Sequence, residues 1–160
     1  MSSDTTFQTV TKSSEETLAL GFKIANLLRG GETIELVGDL GAGKTTLAQG
    51  IVHALGYDGE VTSPTFTLSR DYQVRNGLTV HHFDFYRLSG HDVVSDELNE
   101  FINDSKSINL IEWADHGAAK LPSNRIRIEL KYGEVETARE INVRSNTKEI
   151  IEGLKNVSGD

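Results

Sequence analysis

The sequence lacks cysteine and has no long apolar run. Without cysteine the chain can have no disulfide framework, no thiolate zinc site and no thiol nucleophile. No apolar stretch approaches the length of a membrane span, and the polar start "MSSDTTFQTV" does not have the pattern of a signal peptide. Together these features lead us to expect a cytoplasmic protein that does not act at a membrane.

Basic charge is also scarce. The chain has 16 Lys and Arg residues against 24 Asp and Glu residues, which gives a formal net charge of -8. Proteins that grip nucleic acid need clustered cations to contact phosphates, and the basic residues here are scattered. If the protein serves a nucleic-acid process, we therefore expect a partner to hold the nucleic acid. The length of 160 residues predicts one domain, spanning residues 1–160.

The first third of the chain has the pattern of two strand–helix units. The strand "TTFQTVT" precedes a helix that opens with a capping box from Ser13 to Glu16 and ends at Gly30–Gly31. A second strand, "TIELVG", leads through a glycine-rich loop into a second helix, which Gly56 closes. The apolar face of the first helix is formed by Leu20, Ile24, Leu27 and Leu28.

The remainder of the chain alternates strands with two further helices. The Asn76–Gly77 pair predicts a hairpin between "TFTLSRDYQV" and "LTVHHFDFY", whose second strand has the pattern of a strand covered on both faces. A helix over residues 94–102, a buried strand "INLIEW", an antiparallel pair "RIRIELKY" and "REINVR", and a last helix from about Asn146 with Glu149 as its capping partner follow. This order predicts a three-layer α/β fold with a mixed sheet.

The glycine-rich loop matches the G-x-x-x-x-G-K-[ST] pattern of a phosphate-binding loop. Glycines allow successive N–H groups to turn towards an anion, and the following helix adds its positive end. Lys44 would supply charge to the β- and γ-phosphates of a nucleoside triphosphate, and Thr45 a hydroxyl ligand for Mg²⁺. The predicted nucleotide-binding residues of the loop are Gly38, Asp39, Leu40, Gly41, Ala42, Gly43, Lys44, Thr45 and Thr46.

Two acids follow apolar strands, where a Mg²⁺ triphosphate site needs a carboxylate. Asp84 closes "TVHHFD" and Glu112 closes "INLIE". Either acid could instead be neutralised by Arg87 or another base. The neighbouring Trp113, the only tryptophan, could lie beside the site or could simply pack in the core.

A triphosphate site is compatible with several activities. A GTP switch is disfavoured, because no glycine follows Asp84 in a D-x-x-G pattern and no N-K-x-D pattern occurs. A small-molecule kinase would need a lid with clustered arginines, and remains the alternative. An ATPase needs only a nucleotide-sensing segment, for which "EVTSPTFTLSRDY" offers Ser63, Thr65 and Thr67, although a plain loop would have a similar composition. A binding module without meaningful turnover is a third possibility.

Four blocks in order, "GDLGAGKTT", "VTSPTFTL", "HHFDFYRL" and "LIEW", resemble the bacterial TsaE (YjeE) proteins over nearly the whole chain. This resemblance implies a P-loop NTPase fold with a parallel core and antiparallel flanking strands. It also implies a weak Mg²⁺-dependent ATPase of tRNA threonylcarbamoyladenosine modification. The expected cofactors are ATP and Mg²⁺. The expected partners are the proteins TsaD and TsaB, with tRNA reached only through their complex.

The resemblance also assigns roles to residues. Lys44 matches the phosphate lysine, and Thr45 and Glu112 match the Mg²⁺-side hydroxyl and acid. Asp84, which would position or activate the attacking water, and Thr65 of the switch-like segment complete the expected catalytic set with Lys44. The nucleotide contacts that the resemblance adds to the loop are Ser14, Trp113 and Arg139.

Overall fold

The computed structural model describes residues 5–64, 69–86, 93–116 and 120–158. Among them, no helix combines the length and the apolar composition that a bilayer crossing requires. The strands are β1 (Thr5–Thr11), β2 (Thr33–Val37), β3 (Ser69–Gln73), β4 (Thr79–Asp84), β5 (Ser107–Glu112), β6 (Ile126–Tyr132) and β7 (Arg139–Ser145). The helices are α1 (Ser14–Ala25), α2 (Lys44–Ala54), α3 (Val93–Ile102) and α4 (Lys148–Ser158), and a short 3-10 turn spans Arg75–Gly77.

The strands form one mixed sheet in the order β1-β7-β6-β2-β5-β4-β3. The four central strands, β6, β2, β5 and β4, run parallel to one another. Strands β7 and β1 on one side and β3 on the other are antiparallel to their neighbours. The predicted parallel core with antiparallel flanking strands is therefore confirmed.

Helices cover both faces of this sheet. Helices α1, α2 and α4 contribute to the larger apolar cluster, which contains Val80 of β4 and Leu110 of β5. A second cluster on the other face joins Phe83 and Ile111 of the same strands to Leu98 of α3. Alternate residues of β4 and β5 thus pack into different layers, and β5 is buried along its whole length. The predicted three-layer arrangement and the strand covered on both faces are confirmed.

Two helix boundaries differ from the sequence predictions. Helix α1 ends at Ala25, well before Gly30, because the chain tightens into i→i−3 bonds from Leu27 N–H to the Ile24 carbonyl and from Leu28 N–H to the Ala25 carbonyl. This tighter turn still carries Leu28 into the core, which explains why the apolar pattern of α1 continues past the end of the helix. Helix α4 begins at Lys148, so Asn146 lies outside it.

The predicted hairpin and the first capping contact are both confirmed. Asn76 and Gly77 have φ angles of 60° and 72°, the left-handed conformation that a tight turn between two strands demands. At the start of α1, the Ser13 hydroxyl accepts a hydrogen bond from the Glu16 N–H at 3.1 Å. The Glu16 carboxylate accepts one from the Lys12 N–H at 3.0 Å, one residue earlier than in a standard capping box.

Helices α1 and α2 cross at two glycines. A Cβ atom added to Gly21 would lie 2.7 Å from the Leu47 carbonyl oxygen and 3.0 Å from the Gly50 Cα. A Cβ added to Gly50 would overlap the Leu18 carbonyl oxygen. Because α2 begins at Lys44, this close crossing also fixes where the glycine-rich loop enters its helix.

We expect Gly50→Ala to destabilise the protein, although helix propensity alone would raise stability by about 1 kcal/mol. The added methyl group must push apart two backbones, and such overpacking costs about 1–3 kcal/mol. Ala19→Gly on the exposed face of α1 is the control, and should cost about 1 kcal/mol through propensity alone. Urea unfolding of both variants measures these changes. A Gly50→Ala protein more stable than the parent would contradict the close crossing.

Candidate functional site

The glycine loop, defined here as residues 38–43, joins the end of β2 to the start of α2. Gly41 and Gly43 have φ angles of 80° and 107°, which residues with a Cβ rarely adopt. Gly43 is the N-cap of α2, so no capping side chain occupies the first N–H groups of the helix. These groups are therefore open to an anion, as the sequence pattern predicts.

The back of the loop is held by the β6–β7 hairpin. The Tyr132 hydroxyl donates a hydrogen bond of 2.6 Å to the Leu40 carbonyl. The Arg139 guanidinium donates to the Ala42 carbonyl at 3.1 Å and the Gly41 carbonyl at 3.2 Å, and lies 4.7 Å from the centre of the Tyr132 ring. We call Tyr132 and Arg139 the loop clamp. Their contacts occupy three of the loop carbonyls, those of Leu40, Gly41 and Ala42.

Lys44 lies among polar and aromatic groups of the loop and of β5's end. Its side chain is almost fully buried, and its ammonium group donates to the Gly38 carbonyl and, at 3.4 Å, to the Asp39 carbonyl. The Nζ atom also lies 4.0 Å from the centre of the Trp113 ring, a cation–π contact. The ammonium group thus lies between the first carbonyls of the glycine loop and the Trp113 ring.

Charge compensation of Lys44 is incomplete. Burial lowers the pKa of the Lys44 ammonium group, and the carboxylates of Glu112, Asp84 and Asp39, which raise it, do not offset that effect. A buried cation whose charge is incompletely compensated is stabilised by any further anion placed beside it. The site is therefore electrostatically suited to a phosphate group, even though three carboxylates surround it.

The two predicted acids lie side by side at the carboxyl ends of β4 and β5, where Asp84 and Glu112 are register partners. Asp84 accepts hydrogen bonds from the Ser63 hydroxyl at 2.8 Å and the Tyr86 N–H at 3.0 Å. Glu112 is buried and pairs with His82 Nε2 at 2.6 Å. Within the described ranges neither acid forms an ion pair with Lys or Arg.

Trp113 follows Glu112 with a φ of 59°, a conformation uncommon for a residue with a Cβ and often found at functional sites. Its ring centre lies 5.0 Å from that of Tyr86 and 4.9 Å from that of His116. The His116 Nδ1 atom in turn lies 2.8 Å from the Tyr86 carbonyl. Trp113 also packs against the second apolar cluster, so the predicted core packing is present together with the contact to Lys44.

A cleft of about 410 Å³ opens between the glycine loop and these acids. We call it the loop cleft. Most of the predicted site residues meet there, together with Ser63 and Tyr86. The lining residues are Leu40, Gly41, Gly43, Lys44, Thr45, Thr46, Ser63, Asp84, Tyr86, Glu112 and Trp113.

Three predicted residues of the glycine loop do not line the loop cleft. Gly38 and Asp39 line a neighbouring cavity instead, and Ala42 is buried.

The remaining predicted residues are placed differently. Ser14 is exposed in the first turn of α1, whereas Thr17, one turn later, approaches Gly43: its methyl carbon would lie 3.8 Å from a Cβ there. Arg139 contacts the loop rather than the cleft. Thr65 and Arg87 lie outside the described residues.

Two neighbours of the site escaped sequence reasoning. His82 is fully buried and bonds Glu112; the sequence shows it only as one of two adjacent histidines on opposite faces of a strand. Tyr132 was also missed, although it is the register partner of Arg139 in the predicted antiparallel pair. Strand alternation could have placed His82 on the face of Asp84, but the pairing register that brings it to Glu112 is not encoded locally.

The donors in the loop cleft suit a hard cation. Thr45 offers a hydroxyl oxygen, and Glu112 and Asp84 offer carboxylate oxygens, which are the ligand types that Mg²⁺ prefers. No group of three or more His, Asp or Glu side chains in the described parts of the chain could hold a metal ion. Mg²⁺ in triphosphate sites typically uses one or two protein carboxylates together with substrate phosphates and water, so Thr45 and Glu112 could serve it.

Comparisons with known proteins point to one family. A family model described as "Threonylcarbamoyl adenosine biosynthesis protein TsaE" matches residues 11–141. The chain is 38% identical over 123 residues to the "tRNA threonylcarbamoyladenosine biosynthesis protein TsaE" of Streptomyces coelicolor, covering 76% of this chain and 83% of that protein. It is 38% identical over 127 residues to the protein of the same description from Haemophilus influenzae, covering 77% and 78%.

A solved structure is similar over almost the entire chain. The crystal structure of Bacillus subtilis YdiB superposes with a TM-score of 0.78 at 29% sequence identity, and the match covers 98% of each chain. The predicted P-loop NTPase fold is confirmed.

The loop clamp predicts that Arg139→Ala loosens the glycine loop. Loss of two charge-assisted bonds to carbonyls should cost about 1.5 kcal/mol, equivalent to roughly tenfold faster amide exchange in residues 38–47. Hydrogen–deuterium exchange of peptides covering that range measures it. Tyr132→Phe, which removes one bond and keeps the ring, should have a smaller effect.

Arg127→Ala is the matched control, because Arg127 lies on the same sheet but contacts Glu35 at 3.5 Å instead of the loop. In the Arg127→Ala protein, amide hydrogen exchange in residues 38–47 should equal that of the parent. Equal exchange in the Arg139→Ala and parent proteins would show that the hairpin does not hold the loop.

Proposed function

Because the chain belongs to the TsaE family of threonylcarbamoyladenosine biosynthesis proteins, we propose that it is a weak Mg²⁺-dependent ATPase that serves tRNA threonylcarbamoyladenosine modification. The observation that carries the proposal is the loop cleft, in which Lys44, Thr45, Asp84 and Glu112 line one cavity beside a glycine loop. The cleft thus offers groups for phosphate, for a hard cation and for a water molecule.

Phosphate binding is assigned to Lys44 and the loop amides. The Lys44 ammonium is already desolvated and only partly neutralised, so a triphosphate would complete its charge compensation. Gly43 leaves the first N–H groups of α2 without a side-chain cap. The loop clamp binds the carbonyls of Leu40, Gly41 and Ala42, so these three acceptors are already satisfied by protein donors.

Thr45 and Glu112 are the proposed Mg²⁺ ligands. When bound, Mg²⁺ would neutralise charge that develops on the phosphate oxygens. Glu112 is buried at the base of the cleft, and its second carboxylate oxygen is engaged by His82. Thr45 lines the cleft from the first turn of α2 and carries the hydroxyl that the proposal requires.

Asp84 is the proposed water-positioning residue. Its carboxylate is oriented by the Ser63 hydroxyl and the Tyr86 N–H, so its direction is fixed by residues on two different segments. Ser63 precedes Pro64 and Thr65 in the segment that we propose to sense the nucleotide. A change in that segment would therefore alter the orientation of the catalytic carboxylate.

The small-molecule kinase is a weaker alternative. A kinase of this kind needs arginines that clamp the transferred phosphoryl group. Among the described residues that line the loop cleft there is none. We therefore favour transfer of the phosphoryl group to water.

The ATPase would act on a partner complex in the cytoplasm, and we propose TsaD and TsaB as that complex. The net charge of -8 disfavours direct binding of tRNA, so contact with tRNA would pass through these partners. A nucleotide-dependent change in the segment around Ser63 would give the partners a surface that differs between ATP and ADP.

Asp84→Asn should lower the ATP hydrolysis rate by about 100-fold or more and change ATP affinity by less than about tenfold. The amide keeps the size of the side chain and can still bond Ser63 and Tyr86, so the lost property is the negative charge. Phosphate release measures the rate, and Trp113 fluorescence measures binding. Asp115→Asn, an exposed acid two residues from Trp113 and outside the cleft lining, should match the parent. Unchanged hydrolysis by Asp84→Asn would refute the role of Asp84.

The pathway role is tested by reconstituting tRNA modification with TsaB and TsaD. We expect modification over several turnovers to require this protein and ATP, and to be lost with ADP or with Lys44→Ala. The accompanying product should be free phosphate. A phosphorylated small-molecule acceptor would instead establish the kinase, and modification that proceeds equally with Lys44→Ala would exclude a nucleotide-driven role.

A further inference from the structure

The hydrogen-bonding of His82 is unusual for a core histidine. The side chain has no solvent exposure, yet within the described residues its Nδ1 atom has no hydrogen-bond partner. Its polar contact is the bond of 2.6 Å from Nε2 to the Glu112 carboxylate. An apolar side chain of similar size would fill this space without burying an unpaired nitrogen. The bond to Glu112 is therefore what the imidazole adds.

The unpartnered Nδ1 atom shows which ring nitrogen takes part in the contact. Nε2 is the nitrogen within hydrogen-bond distance of Glu112, so an N–H at this position donates to the carboxylate oxygen. The contact is therefore a hydrogen bond from the Nε2–H of His82 to Oε2 of Glu112.

The bond runs diagonally between strands. The register partner of His82 on β5 is Leu110, and the partner of Glu112 is Asp84. The contact therefore joins Glu112 to the strand residue two positions before its register partner, and it engages Oε2. Glu112 also lines the loop cleft.

We propose that His82 is a positioning residue for Glu112, fixing the orientation of the carboxylate that takes the cation. This inference rests on the proposed function, in which Glu112 is a Mg²⁺ ligand. Hydrogen-bond partners of metal ligands hold them in place, and their loss typically weakens metal affinity about 10- to 100-fold. His82 would thus set the Mg²⁺ requirement of nucleotide binding without touching the nucleotide.

The decisive measurement is a Mg²⁺ titration of ATP affinity, in which Trp113 fluorescence reports ATP binding. The Mg²⁺ requirement is the Mg²⁺ concentration at which half of the rise in ATP affinity is reached. His82→Leu should raise this concentration about tenfold or more, while ATP binding in EDTA stays within about twofold of the parent. His82→Gln, whose amide N–H lies the same number of bonds from the backbone, should restore much of the parent value. Thermal melting checks that each variant is folded.

Two further variants separate positioning from general packing. His81→Gln is the matched control, because His81 faces the other layer and contacts Asp71 at 2.8 Å and Ser107 at 3.0 Å. It should leave the Mg²⁺ requirement unchanged. In a Glu112→Gln background, His82→Leu should add little, since the carboxylate that it positions is already absent.

Each outcome decides the matter. An unchanged Mg²⁺ requirement in a folded His82→Leu protein would overturn the role of His82 and leave the proposed function intact. If His82→Leu does not fold, His82→Phe, which also lacks the N–H donor, takes its place beside His82→Gln. A Mg²⁺ requirement at least threefold higher in the folded variant without the donor than in His82→Gln supports the role, and a smaller difference overturns it. A parent protein that binds no nucleotide with or without Mg²⁺ would overturn both proposals.

Discussion

The buried ammonium group of Lys44 is the constraint on which the rest of the site depends. A cation removed from water costs several kcal/mol unless its surroundings compensate it. Loop carbonyls, the face of Trp113 and nearby carboxylates supply that compensation only in part, and burial still lowers the pKa of Lys44. The groups that stabilise this cation arrive from three separate elements, so the glycine loop, β4 and β5 must meet at one point.

The parallel and the antiparallel strands of the mixed sheet meet that requirement in different ways. Its parallel centre brings the carboxyl ends of β2, β4 and β5 to one edge, which is where ligands bind in open α/β sheets. Its antiparallel flank sends the β6–β7 hairpin to the same edge, where Tyr132 and Arg139 reach the loop from behind. Parallel strands alone, each joined through a crossover, would not place a hairpin next to the loop. The antiparallel flank thus holds three carbonyls of the loop, those of Leu40, Gly41 and Ala42.

Local sequence signals predicted the fold and the lining of the cleft well. The glycine loop, its flanking strand and helix, and the acids Asp84 and Glu112 are each set by spacing along a short segment. The contacts that sequence reasoning missed cross between segments. His82 reaches Glu112 only because β4 and β5 pair in one particular register, and Tyr132 reaches the loop only because the hairpin ends where it does. Register depends on the whole sheet, so no short segment reveals it.

Trp113 shows how the core and the cleft are mechanically joined. A φ of 59° at a residue with a Cβ costs of order 1–3 kcal/mol and persists only where the surroundings impose it. Here the imposing contacts are the rings of Tyr86 and His116 on one side and the second apolar cluster on the other. Trp113 directly follows Glu112, the last residue of β5, so the packing that holds the tryptophan also fixes the end of that strand. A displacement of the tryptophan ring would therefore disturb the Lys44 contact and the Glu112 carboxylate together, which makes the rings of Tyr86, Trp113 and His116 a structural part of the loop cleft.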